Sequence, residues 1–367
     1  MSKKTLIELC MSPDLGGLEL YMVQLAKDLA SEFNIISVIN TDTKLDTYYD
    51  EDSNVVKLKK NSKIFMFGAA RKLAKLIDKN SVEIIHIHWT KDIPFVVLAK
   101  MMSNKKPKLV QTRHMTMTRF KDDFYHRMMY KQLDLILPIT HQVKEQLEKY
   151  IPLDVRPDIQ VLYNGVDKHK SLGAQEILNY KQEFGFEENS FNVGMVGRIN
   201  EAKGQHLLIK ALKEIKNKNI HVYFVGHEMT TGYIDELKAL AKEFEVDDMV
   251  HFLGFLKNTY PFYQLCDIIV LASKRETFGL VLIEAMSAKT AVIGSNSGGV
   301  VEIIDDEKTG LLFEAGSFTS LAQKIETLVN DRGILEKIAQ KGQLKCKEKF
   351  SKEKQTIKLV EILNKEL

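Results

Sequence analysis

Cysteine is scarce in this sequence: Cys10, Cys266 and Cys346 are all there is, and no two stand in C-x-x-C spacing. That excludes a disulfide frame and a zinc knuckle and fits reduced thiols in a cytosolic protein. Arginine is short as well, with eight among 52 Lys and Arg, so each arginine position is more informative than any lysine. A strong charge of one sign is missing. The formal net charge is only +3 and no Arg-rich or Gly/aromatic-rich tract occurs, which leaves nucleic acid without an electrostatic footprint. No uninterrupted apolar stretch reaches bilayer-spanning length. The opening "MSKKTLIELCMSPDLGG" sets two lysines before a short apolar run, as a secretion signal does. Glu8 interrupts that run and a Gly-containing turn follows, so a first β-strand is expected instead. The expected location is the cytoplasm, with peripheral contact at the inner face of the membrane left open.

At 367 residues the chain exceeds one core, and 44% hydrophobic with 28% charged residues is ordinary for a soluble globular protein. Short β-rich runs alternate with helix-period segments. "TLIELC", "FNIISVIN", "VEIIHIHW", "KLVQTRH" and "LDLILPIT" read as strands, with helices such as "LELYMVQLAKDLASEF" between them. The pattern restarts at "FNVGMVGR" and continues through "HVYFVG", "VHFLGF", "DIIVLAS", "TAVIGS" and "GLLF". This alternation predicts an α/β protein of two doubly wound, Rossmann-like parallel sheets, facing across a cleft at the carboxyl ends of their strands. The Pro- and Gly-containing stretch before "SLGAQ" puts the boundary near residue 168, giving domains 1–168 and 169–351 and a closing amphipathic helix over 352–367.

The chemistry concentrates in the second half. "NVGMVGRINEAKGQHLL" is a strand, a Gly-containing loop and a helix, with Arg198 and Lys203 in the loop. Lys203 is followed by Gly204, so this is neither a Walker loop nor a G-x-G-x-x-G fingerprint. Two cations beside a helix start suit a phosphorylated ligand, although a solvated turn reads the same way. In "SKRETFGLVLIEAM", Glu276 precedes a Phe278-Gly279-Leu280 turn, and Glu284 lies inside the apolar run that follows. A helix opening near Phe278–Gly279 would aim its unpaired first amides at an anion, and Glu284 would lean back toward the same mouth. Carboxylates suit sugar hydroxyls better than phosphates, so the division of labour describes a nucleotide sugar.

These residues resemble the donor domain of retaining GT-B glycosyltransferases of family 4, through "GRINEAKG", "FVGHE", "ASKRETFGLVLIEAMSA" and "SNSGGVVEIIDDEKTGLLFEAGS". The resemblance implies that Glu276 holds the transferred sugar, Glu284 the ribose, and Arg198 and Lys203 the diphosphate. The sequence departs from the family at Lys289-Thr290, where Gly-Pro is usual. The first half is similar to the family's acceptor domain. "PDLGGLELYMVQLA" would bring Gly16 and Gly17 to the diphosphate, "LVQTRHMT" places His114 as a cleft histidine, and "YNGVD" matches the interdomain segment. In that fold the closing helix crosses back onto the first domain. The family implies a nucleotide-sugar donor, a glycan or lipid-linked acceptor, and no metal or other cofactor. It points to envelope polysaccharide or lipopolysaccharide assembly.

Weaker signals carry plainer alternatives. Glu19 reads as an ordinary first-turn acid. His86 and His88 share a strand face and mimic a metal pair, but no third ligand is evident, so His88 is placed in the acceptor cleft. Asp50 to Asp52 form a solvated loop. Arg113, Arg119 and Arg127, with Lys121, suit an anionic acceptor or simple surface charge. In "IFMFGAARKLAK" an apolar stripe with Arg71, Lys72 and Lys75 suits either an anionic leaflet or a buried stripe with a wet basic face. A sugar-nucleotide epimerase and a non-catalytic sugar-nucleotide-binding subunit remain as alternatives.

Overall fold

The computed structural model describes residues 3–14, 16–41, 43–59, 63–216 and 219–365, with the side chains of 63–65 outside that description. The chain folds into two compact units, Met1–Tyr163 with Gln355–Leu367, and Asn164–Lys354. The first holds strands β1 (Thr5–Cys10), β2 (Asn34–Asn40), β3 (Val55–Leu58), β4 (Ile84–Ile87), β5 (Lys108–Arg113), β6 (Leu135–Pro138) and β7 (Asp158–Ile159). They form one sheet in the order β3-β2-β1-β4-β5-β6-β7. The second holds β8 (Phe191–Val196), β9 (Ile220–Val225), β10 (Val250–Gly254), β11 (Ile268–Leu271), β12 (Ala291–Ser295) and β13 (Leu311–Phe313), ordered β10-β9-β8-β11-β12-β13. Every strand pairing is parallel. The predicted α/β class with two doubly wound sheets is therefore the observed one.

The central strands are buried along their whole length, as in "IIHI" of β4 and "IIVL" of β11, because helices cover both faces of each sheet. In each sheet the winding reverses beside the first strand: β1 pairs with both β2 and β4, and β8 pairs with both β9 and β11. Loops leaving adjacent strands at such a point diverge and open a crevice at the carboxyl edge.

Two strands, β3 and β7, escaped the sequence reading. They lie at the edges of the sheet and have four and two residues, too few for a periodic pattern to show. The seam falls between Tyr163 and Asn164, ahead of the expected boundary. Backbone contacts explain the difference. Val166 N–H donates to Phe350 O at 2.9 Å, and Lys352 N–H donates to Val166 O at 3.0 Å. Gly165 lies so close to this segment that a β-carbon would sit 2.4 Å from Lys352 Cα. Leu359, Ile362 and Leu363 of the last helix, Lys352–Lys365, share a core cluster with Leu6, Leu25 and Leu135 of the first unit.

The departure at Lys289-Thr290 has a visible cost and a visible compensation. Lys289 adopts φ 65°, the left-handed region that favours glycine. Thr290 Oγ1 donates to the Tyr263 carbonyl at 2.6 Å in the buried interior. Replacing Lys289 by glycine relieves the left-handed strain and adds unfolded-chain entropy, a net gain of about 0.5–1 kcal/mol. Lys289→Gly is expected to raise the thermal midpoint of the second unit by a few degrees in calorimetry; a midpoint unchanged or lowered would show that this turn is unstrained.

Candidate active site

Arg198 and Lys203 lie on the loop that leaves β8. Asn200 Oδ1 accepts from Lys203 N–H at 3.2 Å, and Gln205 Nε2 donates to Arg198 O at 3.1 Å, so the loop is fixed by its own side chains. Gly204, with φ 84°, presses this loop onto the end of β11, where a β-carbon would come 2.5 Å from Ala272 O. The Arg198 side chain is exposed and makes no ion pair among the described residues. Lys203 Nζ instead meets Glu276 Oε2 at 2.7 Å. The structure thus brings together one predicted cation and one predicted acid from loops of adjacent strands.

The Glu276 loop follows β11 and is clamped from the neighbouring strand. Ser295 Oγ donates to Ser273 O at 2.7 Å, Ser297 Oγ to Lys274 O at 3.0 Å, and Gly299 N–H to Glu276 O at 2.9 Å. A β-carbon on Gly298 would lie 1.9 Å from Glu276 O, and one on Gly299 would lie 2.2 Å from Thr277 O. Only a pair without side chains lets the two loops touch, so Gly298 and Gly299 position Glu276. Sequence reasoning quoted this Gly-Gly pair without assigning it a task; glycines just after a buried strand were the available signal.

Gly279, at φ 99°, caps the helix Leu280–Ser287; Leu282 N–H donates back to Gly279 O at 2.9 Å, which leaves the amides of Leu280 and Val281 as the opening donors. The expectation for Phe278 changes here: its ring is buried against Phe350, 5.9 Å between centroids, and only its main chain is placed at the mouth. Glu284 sits one turn inside the helix, where Oε2 accepts from Tyr263 Oη–H at 2.5 Å. Burial raises its carboxyl above the ordinary range, and the Tyr263 bond opposes that rise. Tyr263 is a partner of Glu284 that the sequence did not reveal, since it lies on another helix, Tyr260–Leu265.

In the first unit, Gly16 caps the helix Gly17–Leu29 in extended conformation. A β-carbon on Gly17 would meet no heavy atom within 4 Å, so packing among the described residues does not require glycine there. Glu19 is buried and lies beside Gly16. Tyr21 packs edge-on against both His88 and His114, at 5.9 and 5.2 Å between centroids. Burial pushes His114 well below its usual pKa, and its Nε2 is buried with no partner among the described residues.

His86 and His88 do have a third neighbour. Glu8 Oε1 lies 3.1 Å from His86 Nδ1 and Oε2 lies 2.5 Å from His88 Nε2, with all three residues buried. These groups are close enough to be considered for a metal ion. Each facing atom is already hydrogen-bonded to another of the trio, and His86 Nε2 is 2.7 Å from Thr112 Oγ1. The acid that interrupts the first apolar run is thus the centre of a buried polar network.

The three arginines of the cluster are engaged differently. Arg113 is buried and spends its guanidinium on Met115 O, Thr90 Oγ1 and Thr116 O, at 2.7, 2.7 and 3.0 Å. It shapes the loop and cannot reach an acceptor without breaking these bonds. Arg127 pairs with Asp154 at the surface. Arg119 is exposed and makes no ion pair among the described residues. An open groove of about 670 Å³ near Lys27, Asn34 and Asp50 is lined by none of these site residues.

Comparison with known proteins agrees across both units. The model "Glycosyltransferase Family 4" matches residues 15–170, and "Glycosyl transferases group 1" matches residues 176–345. The N-acetyl-alpha-D-glucosaminyl L-malate synthase of Bacillus anthracis is 27% identical over 78% of this chain and 75% of its own length. The capsular polysaccharide biosynthesis glycosyltransferase CapM of Staphylococcus aureus is 25% identical over 86% of each chain. The crystal structure of Anabaena Alr3699/HepE in complex with UDP superposes with TM-score 0.84, at 20% identity over 99% of both chains.

The buried acid gives a pH signature. Burial alone would raise the Glu8 pKa, but the two imidazoles outweigh it and hold the group near about 2, against 4.5 for a free glutamate. A depressed carboxyl stabilises the fold fully above the unfolded value, and that contribution is lost as pH falls from about 4.5 toward 2. Glu8→Gln is expected to melt lower than wild type near neutral pH and to show a flatter loss of thermal midpoint between about pH 5 and pH 3. Parallel acid slopes for the two proteins would contradict the network.

Proposed function

The chain belongs to the family 4, group 1 glycosyltransferases of GT-B fold, a hexosyltransferase-type enzyme, and on that premise we propose its reaction. It moves a sugar from a UDP-sugar to a hydroxyl of a glycan or glycolipid in cell-envelope polysaccharide or lipopolysaccharide synthesis, with retention at the anomeric carbon. Relatives work in that setting, CapM in capsular polysaccharide among them. The UDP held by the Anabaena neighbour supports a uridine donor. The two named relatives differ in what they build, L-malate conjugate and capsule, so membership leaves the acceptor to this chain's own loops.

The observation that carries the reading is the meeting of Lys203 and Glu276 at 2.7 Å, on loops of adjacent central strands. On donor binding the cation turns to the diphosphate and the acid to the hydroxyls of the transferred sugar. Glu284, steadied by Tyr263, takes the ribose hydroxyls. The bond from the anomeric carbon to the diphosphate breaks with its electron pair passing to the phosphate oxygen. The acceptor oxygen bonds to the same face, and its proton passes to the departing phosphate. Arg198, Lys203 and the opening amides of the helix Leu280–Ser287 take up the charge, and the proposed mechanism calls on no metal. Loss of one preorganised donor of this kind costs about 3 kcal/mol of barrier, or roughly a hundredfold in rate. Arg198→Ala and Lys203→Ala are each expected to lower UDP release in the presence of acceptor by about that factor. Rates near wild type in either variant would sink the mechanism.

We also propose that the first unit touches an anionic leaflet. The helix Lys63–Lys79 spends Ala69, Ala70, Leu73 and Ile77 on the core, so its stripe is not the contact. Within the stripe read from "IFMFGAARKLAK", the side chains of Ile64 and Phe65 lie outside the described ones. Arg71, Lys72 and Lys75 remain exposed beside Phe67. A second surface, with Phe120, Phe124 and Tyr125 exposed beside Arg119, supplies the apolar part. In this proposal the exposed Arg119 meets a phosphate of the acceptor. Flotation with vesicles containing anionic phospholipid is expected to carry the wild type and to carry less of the Phe124→Ser, Arg119→Ala variant. Equal flotation with neutral vesicles would remove the proposal.

A further inference from the structure

The glycosyl-transfer reading leaves the Glu8 network unused. Glu8 and His86 are direct cross-strand partners on β1 and β4, at the reversal of the first sheet. A carboxylate accepts hydrogen bonds and donates none, so the two imidazole nitrogens facing it, His86 Nδ1 and His88 Nε2, both carry protons. His88 is 1% exposed, burial pushes its pKa below the ordinary value, and a proton on its buried Nδ1 would find no acceptor among the described residues, so the geometry favours the neutral ring. A neutral imidazole has one N–H. In His88 that N–H is turned to Glu8, which leaves Nδ1 as a bare lone pair. Nδ1 is buried and without a partner among the described residues. Tyr21 holds the ring edge-on, and His114 lies beside it at 6.1 Å between centroids.

We propose that Glu8 is a positioning residue that locks His88 in the Nε2–H tautomer, so that Nδ1 accepts a hydrogen bond from a hydroxyl of the acceptor substrate. A lone pair aligned in this way admits a hydroxyl or an amine and refuses a phosphate or a carboxylate. The subsite therefore reads the neutral, hydroxyl-bearing part of the acceptor. The identity of the ligand rests on the glycosyltransferase reading; the tautomer does not.

Two measurements test it. Long-range ¹H–¹⁵N spectra of histidine-labelled protein, assigned with His88→Gln, are expected to show His88 protonated at Nε2 and bare at Nδ1. A protonated Nδ1 in the wild type overturns the proposal whatever the enzyme's activity. Glu8→Gln is expected to disturb that tautomer and to raise KM for a glycan acceptor about tenfold, with a smaller change in kcat. His88→Gln keeps a donor near Glu8 and deletes the Nδ1 acceptor, so it is expected to show the same KM shift if Glu8→Gln does not fold. An unchanged acceptor KM in folded His88→Gln overturns the proposal. So does stoichiometric binding of zinc to the wild type that is lost in Glu8→Gln, since the three residues would then be ligands. A wild type that releases no UDP with any acceptor defeats the functional reading alone, because the tautomer measurement stands without turnover.

Discussion

A doubly wound parallel sheet has to reverse its winding once, and at that place two neighbouring strands send their loops to opposite faces. Both sheets of this protein meet the constraint at their first strands, β1 beside β4 and β8 beside β11. The residues with chemistry gather there. The Gly16–Gly17 turn follows β1 and His88 follows β4, while Arg198 and Lys203 follow β8 and Glu276 follows β11. The apolar strands between them are sealed on both faces by helices, so polar side chains gather at the carboxyl edge, where Arg198 is exposed and His88 is buried.

The two units fix their side chains by different means. In the second unit, main chain touches main chain. Gly298 and Gly299 bring one loop against the carbonyls of Glu276 and Thr277, and Gly204 brings another against Ala272. Such contacts leave few alternative arrangements, since carbonyl and β-carbon cannot share space. In the first unit, a buried carboxylate bridges two imidazoles and, through one of them, the Thr112 hydroxyl, tying β1, β4 and β5 together. Among the described residues every polar side-chain atom of this network except His88 Nδ1 has a partner, as a buried polar network needs in order to be tolerated. The first solution holds a loop; the second holds a tautomer.

The sequence showed most of the strands because buried parallel strands are continuous apolar runs, and "DIIVLAS" or "VEIIHIHW" cannot be mistaken for surface. It did not show β3 or β7, whose edge positions ask for only a few residues of pairing. Glu276 and Glu284 were legible because they flank one turn, so local spacing carried the information. Tyr263, Glu8 and the true place of Arg113 were not. Tyr263 meets Glu284 only through the packing of two helices, and Glu8 meets His86 across a sheet, 78 positions along the chain. Arg113 looked like an exposed cation because scarcity marks importance without marking direction. Its importance is to the loop carbonyls it binds.

The pairing of Lys203 with Glu276 brings these strands of argument to one point. The two side chains keep 27% and 18% of their surface exposed, so the pair is neither a dry ion pair nor a free one. A fully buried pair would cost several kcal/mol to separate, and an exposed one contributes about 0–1 kcal/mol and would fix neither partner. At intermediate exposure, with both loops held by backbone contact, each group is kept in place by the other yet can exchange it for a stronger partner. A diphosphate offers the ammonium more negative charge than one carboxylate, and vicinal hydroxyls offer the carboxylate two donors in place of one cation. In the proposed reaction the pair is therefore a resting arrangement, which a ligand carrying both chemistries would exchange for its own contacts.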